Sequence, residues 1–200
     1  DSGIEGEYIV INVNASDLRL ERRWSQESFV ELIKLIGNKY PDLKIILVGG
    51  KSEAQYTLDV ANKLDGLNVI NTAGKTNLKT LINLISDAKL MISNDTGPMH
   101  IAFTTNTPVI CLFGPCSPIQ YGMSEFAHVI YKKTYCSPCV HDFEIPPCKG
   151  DNVCMKLISV FEVMTKFNEL MIDPKLRPIQ QSNEPYQFTL DQKILGEFKR

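Results

Sequence analysis

Short apolar segments recur along the chain and alternate with segments of helical periodicity. Six of the apolar segments have the length of a strand, and they lie at 8–13, 44–48, 68–70, 89–92, 109–113 and 128–131. In the intervening segments the apolar spacing predicts amphipathic helices at 29–36, 53–64, 78–88 and 159–171. Nearly continuous apolar strands that alternate with helices are typical of a parallel sheet with helices on both faces. The pattern therefore predicts an α/β, Rossmann-like fold.

The predicted helices have recognisable start and stop signals. Ser25 and Thr76 precede two of them and are suited to cap their first turns. Ser159 begins a capping box with Glu162 at the start of the last helix. Gly37 is suited to end the first helix, because glycine readily adopts the conformation that closes a helix.

The chain divides into three segments. Residues 1–7 form an acidic linker, 8–172 form one domain, and 173–200 form a polar tail in which a short helix is predicted at 190–198. The tail has two interpretations. It is either a floppy end or a segment that packs on a domain outside this sequence.

The composition narrows the class of protein. With 200 residues, of which 44% are hydrophobic, the chain can bury the core of one well-packed domain. The net charge of −2 gives no basic face for nucleic acid. The apolar segments are too short to span a bilayer, and the N-terminal residues lack the apolar stretch of a signal peptide. We therefore expect a cytoplasmic protein that binds no nucleic acid and does not cross the membrane.

The octet Ser-Asn-Asp-Thr-Gly-Pro-Met-His at 93–100 carries the strongest chemical signal. It lies between an apolar strand and a helical segment, so Thr96 and Gly97 would present backbone N–H groups at a helix start. Such groups bind phosphate, whereas Asp95 is suited to accept hydrogen bonds from sugar hydroxyls. The alternative is that Asp95 or Asn94 simply caps the helix.

A second strand end is predicted to lie beside this motif. The apolar strand at 109–113 runs into Gly114-Pro115-Cys116-Ser117-Pro118, a rigid loop. The carboxyl ends of neighbouring strands meet at one edge of an open α/β sheet, which is where such folds bind ligands. An acid beside a phosphate cradle at this edge indicates a sugar phosphate or a nucleotide sugar.

These motifs resemble the C-terminal half of glycosyltransferase family 9, the heptosyltransferases. The resemblance covers roughly 8–171, and it rests on the octet at 93–100, the Thr-Pro-Val-Ile run at 107–110 and the Phe-Gly-Pro-x-Ser-Pro run at 113–118. It implies the C-terminal domain of a bacterial GT-B enzyme of lipopolysaccharide biosynthesis. In the family this half binds the nucleotide-sugar donor, typically ADP-heptose.

The resemblance also implies roles for residues of the octet and of a second motif. Asp95 would hold the donor sugar hydroxyls and the backbone at Thr96 and Gly97 the diphosphate, with His100 one turn along the same helix. The sequence Arg22-Arg23-Trp matches a family Lys-x-Trp motif whose lysine neutralises the departing diphosphate. Arg22 is thus the candidate for this role. Two alternatives stay open: Arg23 takes the role, or both arginines form a solvated pair.

Further donor contacts are implied after other strands. Asn14 matches a position facing the phosphates, Glu53 an acid that contacts the ribose, and Thr76 a residue of a loop near the base. Gly114 and Pro115 would complete the pocket. Glu53 has an alternative interpretation as a carboxylate that stabilises a helix N-terminus.

The implied reaction is transfer of a sugar, heptose from ADP-heptose, to a lipopolysaccharide-type or surface-glycan acceptor. The sequence has no Asp-x-Asp motif for a divalent ion, so a metal-independent reaction without a cofactor is expected. In the family the general base and the acceptor site belong to an N-terminal domain that is missing from this sequence. A peripheral position at the inner membrane would bring lipid-linked acceptors within reach. The alternatives are a non-catalytic nucleotide-sugar binding module and a GT-B transferase with another sugar donor.

Four cysteines form a cluster in a segment with few core-forming residues. Cys136, Cys139, Cys148 and Cys154 lie at 136–154, and the Cys-x-x-Cys spacing of the first two suits a structural zinc site. One or two disulfides, or free thiols, remain as alternatives.

Overall fold

Six parallel strands form a single sheet at the centre of the domain. The computed structural model describes residues 3–15, 19–122 and 124–173. The strands are β1 (Tyr8–Asn12), β2 (Lys44–Leu47), β3 (Val69–Asn71), β4 (Met91–Asn94), β5 (Val109–Phe113) and β6 (Ala127–Tyr131). Their order across the sheet is β3-β2-β1-β4-β5-β6, and each neighbouring pair is parallel.

Helices connect the strands and cover both faces of the sheet. They are α1 (Gln26–Lys39), α2 (Ala54–Ala61), α3 (Leu78–Ser86), α4 (Gly97–Thr104), α5 (Pro118–Tyr121), α6 (Val153–Lys156) and α7 (Val160–Ile172), and a short 3-10 helix (Leu20–Arg22) precedes α1. The predicted α/β class with a parallel, doubly covered sheet is confirmed. No helix in the described part of the chain is long and apolar enough to cross a membrane.

Alternating residues of each strand supply two hydrophobic cores. On one face, Ile9 and Ile11 of β1 pack with side chains of α1 and α7, among them Phe167. On the other face, Val10 of β1 packs with side chains of α3 and α4, among them Met99. The inner strands are therefore buried on both sides, which is why their sequences are nearly continuous apolar runs. The edge strand β3 is an exception, since its Ile70 is 40% exposed.

Trp24 anchors the start of α1 in the first of these cores. It is the only tryptophan of the chain, and only 1% of its surface is exposed. Its indole Nε1 donates to the carbonyl oxygen of Ile158, 3.0 Å away, and its ring meets the edge of Phe29 at 5.0 Å. The segment before α1 is thereby fixed against the segment before α7.

The chain reverses its direction of travel across the sheet between β1 and β4. From β1 it proceeds through β2 to β3 at one side, and it then returns to β4, β5 and β6 on the other side. In open α/β folds the helices on either side of such a point leave a crevice at the carboxyl ends of the strands, which here are those of β1 and β4. Asn12 of β1 lies opposite Ser93 of β4 at this position.

The structure confirms two predicted helix caps and corrects the others. Ser25 and Ser159 accept hydrogen bonds from the backbone three residues on, as predicted. Thr76 does not cap α3, because Asn77 occupies the cap and accepts from the Thr80 backbone. Gly37 does not end α1, which continues to Lys39 because glycine is tolerated on its buried face.

Some boundaries predicted from the apolar pattern also shift. The strand predicted at 89–92 lies at 91–94 instead, since β4 continues through Ser93 and Asn94, two polar residues that are fully buried. Cys154 lies within α6 and not in the loop that precedes it. Residues 1 and 2 of the predicted linker, and the tail from 174 with its predicted helix, lie outside the described residues. The division into linker, domain and tail stays a prediction.

Candidate functional site

Asp95 lies in the turn between β4 and α4, at the crevice where the chain reverses. Its side chain is only 5% exposed, yet its Oδ2 atom has no hydrogen-bond partner in the described part of the protein. Oδ2 lies 3.6 Å from Nη1 of Arg22. A carboxylate is an acceptor with several lone-pair positions. Asp95 therefore has hydrogen-bonding capacity that the described residues do not use, although Oδ2 is buried and faces Arg22.

The first turn of α4 is open next to this carboxylate. Thr96 occupies the N-cap position, but no side chain accepts a capping hydrogen bond there, so neither Asp95 nor Asn94 caps the helix. A Cβ atom added at Gly97 would meet nothing within 4 Å. Gly97, at the positive end of the helix dipole, is exposed, so an anion can approach the helix start there. Pro98 has no N–H, and the Met99 N–H donates to the carbonyl oxygen of Thr96 at 3.1 Å.

The two adjacent arginines have different surroundings. Arg22 donates from Nη1 to the carbonyl oxygen of Asp95 at 3.4 Å, and its buried Nε has no hydrogen-bond partner among the described residues. Arg23 stacks over the ring of Tyr56, 4.2 Å from its centroid, and donates to the carbonyl oxygen of Ala15 at 3.1 Å. Arg22 thus lies against Asp95, whereas Arg23 packs on Tyr56.

Other candidate residues lie around the crevice but differ in accessibility. Asn14 is fully buried, and its Nδ2 donates to Val48 at 3.1 Å and to Thr57 at 3.0 Å. Glu53 stands at the start of α2 and accepts from the Gly50 backbone at 2.7 Å. Asn14 and one oxygen of Glu53 therefore hold the surrounding loops.

His100 and Thr76 are the remaining predicted contacts. His100 is exposed on α4 and lies edge-on to the ring of Phe103 at 5.5 Å, one turn beyond the helix start. Thr76 is half-buried just before α3. Their contacts with a ligand stay predictions, as do those of the other residues.

The loop after β5 is supported from behind by the cysteine-rich segment. A Cβ atom at Gly114 would lie 2.5 Å from Sδ of Met155 and 2.9 Å from Sγ of Cys154. The carbonyl oxygen of Pro115 accepts from the backbone of Cys139 at 2.8 Å and of Val140 at 3.0 Å. Both loop residues are buried, so the structure gives them a packing role that the motif alone did not reveal.

Cys116 belongs to the same loop and lies against Asp95. Only 1% of its surface is exposed. Burial first, and then a hydrogen bond to the Asp95 carboxylate, raise the pKa of the Cys116 thiol far above its usual range. The thiol is therefore neutral at physiological pH and adds no negative charge to the proposed diphosphate site.

The thiols of the cysteine cluster (Cys136, Cys139, Cys148 and Cys154) are free and influence one another. Burial, followed by the other three thiols, raises the pKa of Cys139 to about 12. Across the residues that the structure describes, however, no three His, Cys, Asp or Glu side chains form a group that could hold a metal ion. This arrangement of thiols does not fit a zinc ion, and the structural zinc stays a prediction from spacing alone.

Sequence reasoning missed a set of buried asparagine contacts. Nδ2 of Asn12 donates to the hydroxyl of Thr96 at 2.7 Å and to that of Ser93 at 3.2 Å, while Asn94 bridges Asn14 and Trp24. The only signal in the sequence is that two apolar strands end on asparagine. These contacts join the ends of β1 and β4 and set the position of the α4 start.

The chain is similar to known proteins in sequence and in fold. The model of glycosyltransferase family 9 (heptosyltransferase) matches residues 1–148. Lipopolysaccharide core heptosyltransferase OpsX of Haemophilus influenzae is 36% identical over 105 residues, which are 51% of this chain and 29% of that protein. Two solved structures share the fold. Escherichia coli ADP-heptose lipopolysaccharide heptosyltransferase II has a TM-score of 0.67 at 23% identity, covering 84% of this chain and 47% of that one.

The second is the E. coli heptosyltransferase WaaC with ADP-2-deoxy-2-fluoro heptose, which has a TM-score of 0.61 at 23% identity and covers 82% of this chain and 43% of that one. Because the family model matches well over half of the sequence, the chain belongs to glycosyltransferase family 9. It spans less than half the length of these relatives.

Two glycine substitutions test the packing of the loop after β5. Gly114→Ala is expected to lower the stability by about 1–3 kcal/mol, because the added methyl overlaps two sulfur-containing side chains. Gly97→Ala is the matched control, since it adds the same methyl in open space, and its stability should equal or exceed that of the unmodified chain. Thermal unfolding measures both. Equal losses in the two variants would contradict the packing role of Gly114.

The zinc predicted from the cysteine spacing is tested by elemental analysis of the purified chain. A structural site would retain about one equivalent of zinc and would lose it in Cys139→Ser, whereas Cys111→Ser, at an isolated core cysteine, would keep it. A content below about a tenth of an equivalent would rule out zinc.

Proposed function

We propose that this chain is the donor-binding half of a heptosyltransferase that transfers heptose from ADP-heptose to a lipopolysaccharide-type acceptor. One observation carries the proposal: the buried carboxylate of Asp95, whose Oδ2 has no hydrogen-bond partner among the described residues, lies beside Arg22 and the start of α4. A nucleoside diphosphate sugar has both features that this arrangement complements, which are hydroxyls for the carboxylate and a diphosphate for the positive groups.

Charge stabilisation is the main chemical task of the proposed site. Sugar transfer leaves a nucleoside diphosphate, and groups already oriented toward its developing charge lower the barrier. The start of α4 provides about half a positive charge, and the Arg22 guanidinium provides a full one. In this proposal the two replace a divalent ion, so transfer requires no metal.

Arg22 is free to turn toward a diphosphate because its contacts in the structure are weak. Its Nη1 lies 3.6 Å from Oδ2 of Asp95, which is beyond hydrogen-bond distance, and its bond to the Asp95 carbonyl oxygen is long at 3.4 Å. Its side chain is 22% exposed. Phosphate oxygens would thus gain strong charge-assisted hydrogen bonds at little cost in existing ones.

The identity of the donor in this proposal comes from the relatives. One solved heptosyltransferase carries ADP-2-deoxy-2-fluoro heptose and another is described by its substrate ADP-heptose. Asp95, Thr96 and Gly97 of this chain follow β4 at the point where the chain reverses across the sheet, and a nucleotide site there is supported by the general preference of open α/β sheets for this position. We therefore assign the diphosphate to the α4 start and the heptose hydroxyls to Asp95.

The acceptor and the general base lie beyond this chain in the proposal. The relatives are more than twice as long as the part that this chain covers, and acceptor recognition is assigned to that remaining part. Transfer is proposed to occur in the cytoplasm, at the inner membrane surface where lipid-linked acceptors lie. By itself, this chain is expected to bind donor and to transfer sugar poorly.

Calorimetric titration with ADP, ADP-heptose, UDP and UDP-glucose tests the donor site. ADP-heptose should bind more tightly than ADP, and Asp95→Ala should abolish this preference and weaken ADP-heptose roughly tenfold to a hundredfold, because charged hydrogen bonds to the sugar are lost. Asp42→Ala, which removes an exposed carboxylate before β2, is the control and should bind like the unmodified chain.

The possible results of this titration are distinct. Tighter binding of a uridine donor would keep a glycosyltransferase but contradict the heptose donor. Equal affinity for ADP and ADP-heptose would contradict the role of Asp95, and binding of none of the four would contradict a donor site in this chain.

Metal independence is tested with a chimeric enzyme, in which this chain is joined to the part of a heptosyltransferase relative that it does not cover. EDTA should leave the rate of sugar transfer unchanged, since Arg22 and the α4 start supply the positive charge. Loss of activity that magnesium restores would show that a divalent ion takes this role.

A further inference from the structure

Asn94, the last residue of β4, holds two separate segments together with one side chain. It is fully buried. Its Oδ1 accepts a hydrogen bond from the backbone N–H of Trp24 at 3.1 Å, and its Nδ2 donates to the carbonyl oxygen of Asn14 at 2.9 Å. The side chain thus connects the segment before α1 with the carboxyl ends of both β1 and β4.

The two oppositely charged residues of the candidate site, Arg22 and Asp95, lie close in the sequence to the residues that make these contacts. Asp95 follows Asn94 directly in the chain, and Arg22 lies two residues before Trp24. The Trp24 ring is fixed by the hydrogen bond of its indole to Ile158, and the Trp24 backbone is fixed separately by its hydrogen bond to Asn94. The distance between the backbones that carry Arg22 and Asp95 therefore depends on the Asn94 amide.

We propose that Asn94 is a positioning residue for donor binding. By fixing the Trp24 backbone to the end of β4, it holds Arg22 at the distance from Asp95 at which one ligand can contact both. Asn94 itself does not touch the donor in this proposal, and it acts through Arg22. The inference rests on the proposed function and adds a residue to the machinery of that site.

The chemistry of the amide explains why asparagine suits this position. The contact with Trp24 needs an acceptor and the contact with Asn14 needs a donor, and the amide side chain supplies both from one planar group. An aspartate would offer acceptors only and would face the Asn14 carbonyl oxygen without a proton to share. An alanine would leave the buried Trp24 N–H unpaired, and unpaired buried donors are strongly disfavoured.

The first test needs no ligand and measures hydrogen exchange of Trp24 by NMR. In Asn94→Ala the backbone amide of Trp24 should exchange at least roughly tenfold faster, since it loses its acceptor, while the indole N–H on Ile158 stays protected. Asn94→Asp keeps the accepting oxygen and should retain most of the protection. Thr107→Val, which removes a buried hydrogen bond to Ile85, controls for a general loss of stability and should leave Trp24 unchanged.

The second test is a double-mutant cycle on ADP affinity. Asn94→Ala should weaken ADP binding roughly tenfold in the unmodified chain and have little further effect in Arg22→Ala, because its effect passes through Arg22. A purely structural role would weaken binding equally in both backgrounds. Thr107→Val should bind ADP like the unmodified chain. If Asn94→Ala does not fold, Asn94→Ser, whose hydroxyl is too short to span both contacts, is used for both tests.

The outcomes separate the inference from the function on which it rests. If the unmodified chain binds no ADP, the proposed function fails and the inference with it. If ADP binds but Trp24 exchange is unchanged in Asn94→Ala, or the effects of Asn94→Ala and Arg22→Ala are additive, the inference alone is overturned.

Discussion

Hydrogen bonds between buried polar groups at the ends of β1 and β4 are the constraint on which the candidate site depends. Asn12 reaches the Thr96 hydroxyl at 2.7 Å, and Asn94 joins the Asn14 and Trp24 backbones. Buried amides must find partners or incur a large desolvation cost, so these contacts admit few alternative arrangements. They fix the turn in which Asp95 lies and the point at which α4 begins.

The electrostatics of the site follow from that arrangement. One buried carboxylate, one arginine and one open helix start converge where the chain changes direction across the sheet. The neutral Cys116 thiol beside Asp95 adds no further negative charge. Positive and negative groups thus lie a short distance apart, which is the basis on which we propose a ligand that carries both a diphosphate and hydroxyls.

The cysteine-rich segment supports the site from outside the sheet. Its backbone donates to the carbonyl oxygen of Pro115, and its following helix fills the space that a side chain at Gly114 would need. This close approach explains a glycine at 114 by packing, whereas the motif suggested a ligand contact. The segment therefore packs directly against the loop that carries Cys116, next to Asp95.

Three features could be recognised from the sequence: the alternation that defines the α/β class, the strand–turn–helix around 91–104, and the candidate residues Asp95 and Arg22. The fold class and Asp95 depend on periodicity and turn chemistry within a few residues, which local sequence encodes directly. Arg22 was implied by the resemblance of Arg22-Arg23-Trp to a family motif. The contact of Arg22 with Asp95, the asparagine contacts and the packing of Gly114 were decided by tertiary structure. They join residues far apart in the chain, 80 positions in the case of Asn94 and Asn14, and such contacts arise only when the strands pack side by side. In a hydrophobicity pattern, buried polar residues in the last positions of a strand are indistinguishable from the loop that follows it. For this reason β4 was predicted two residues too early.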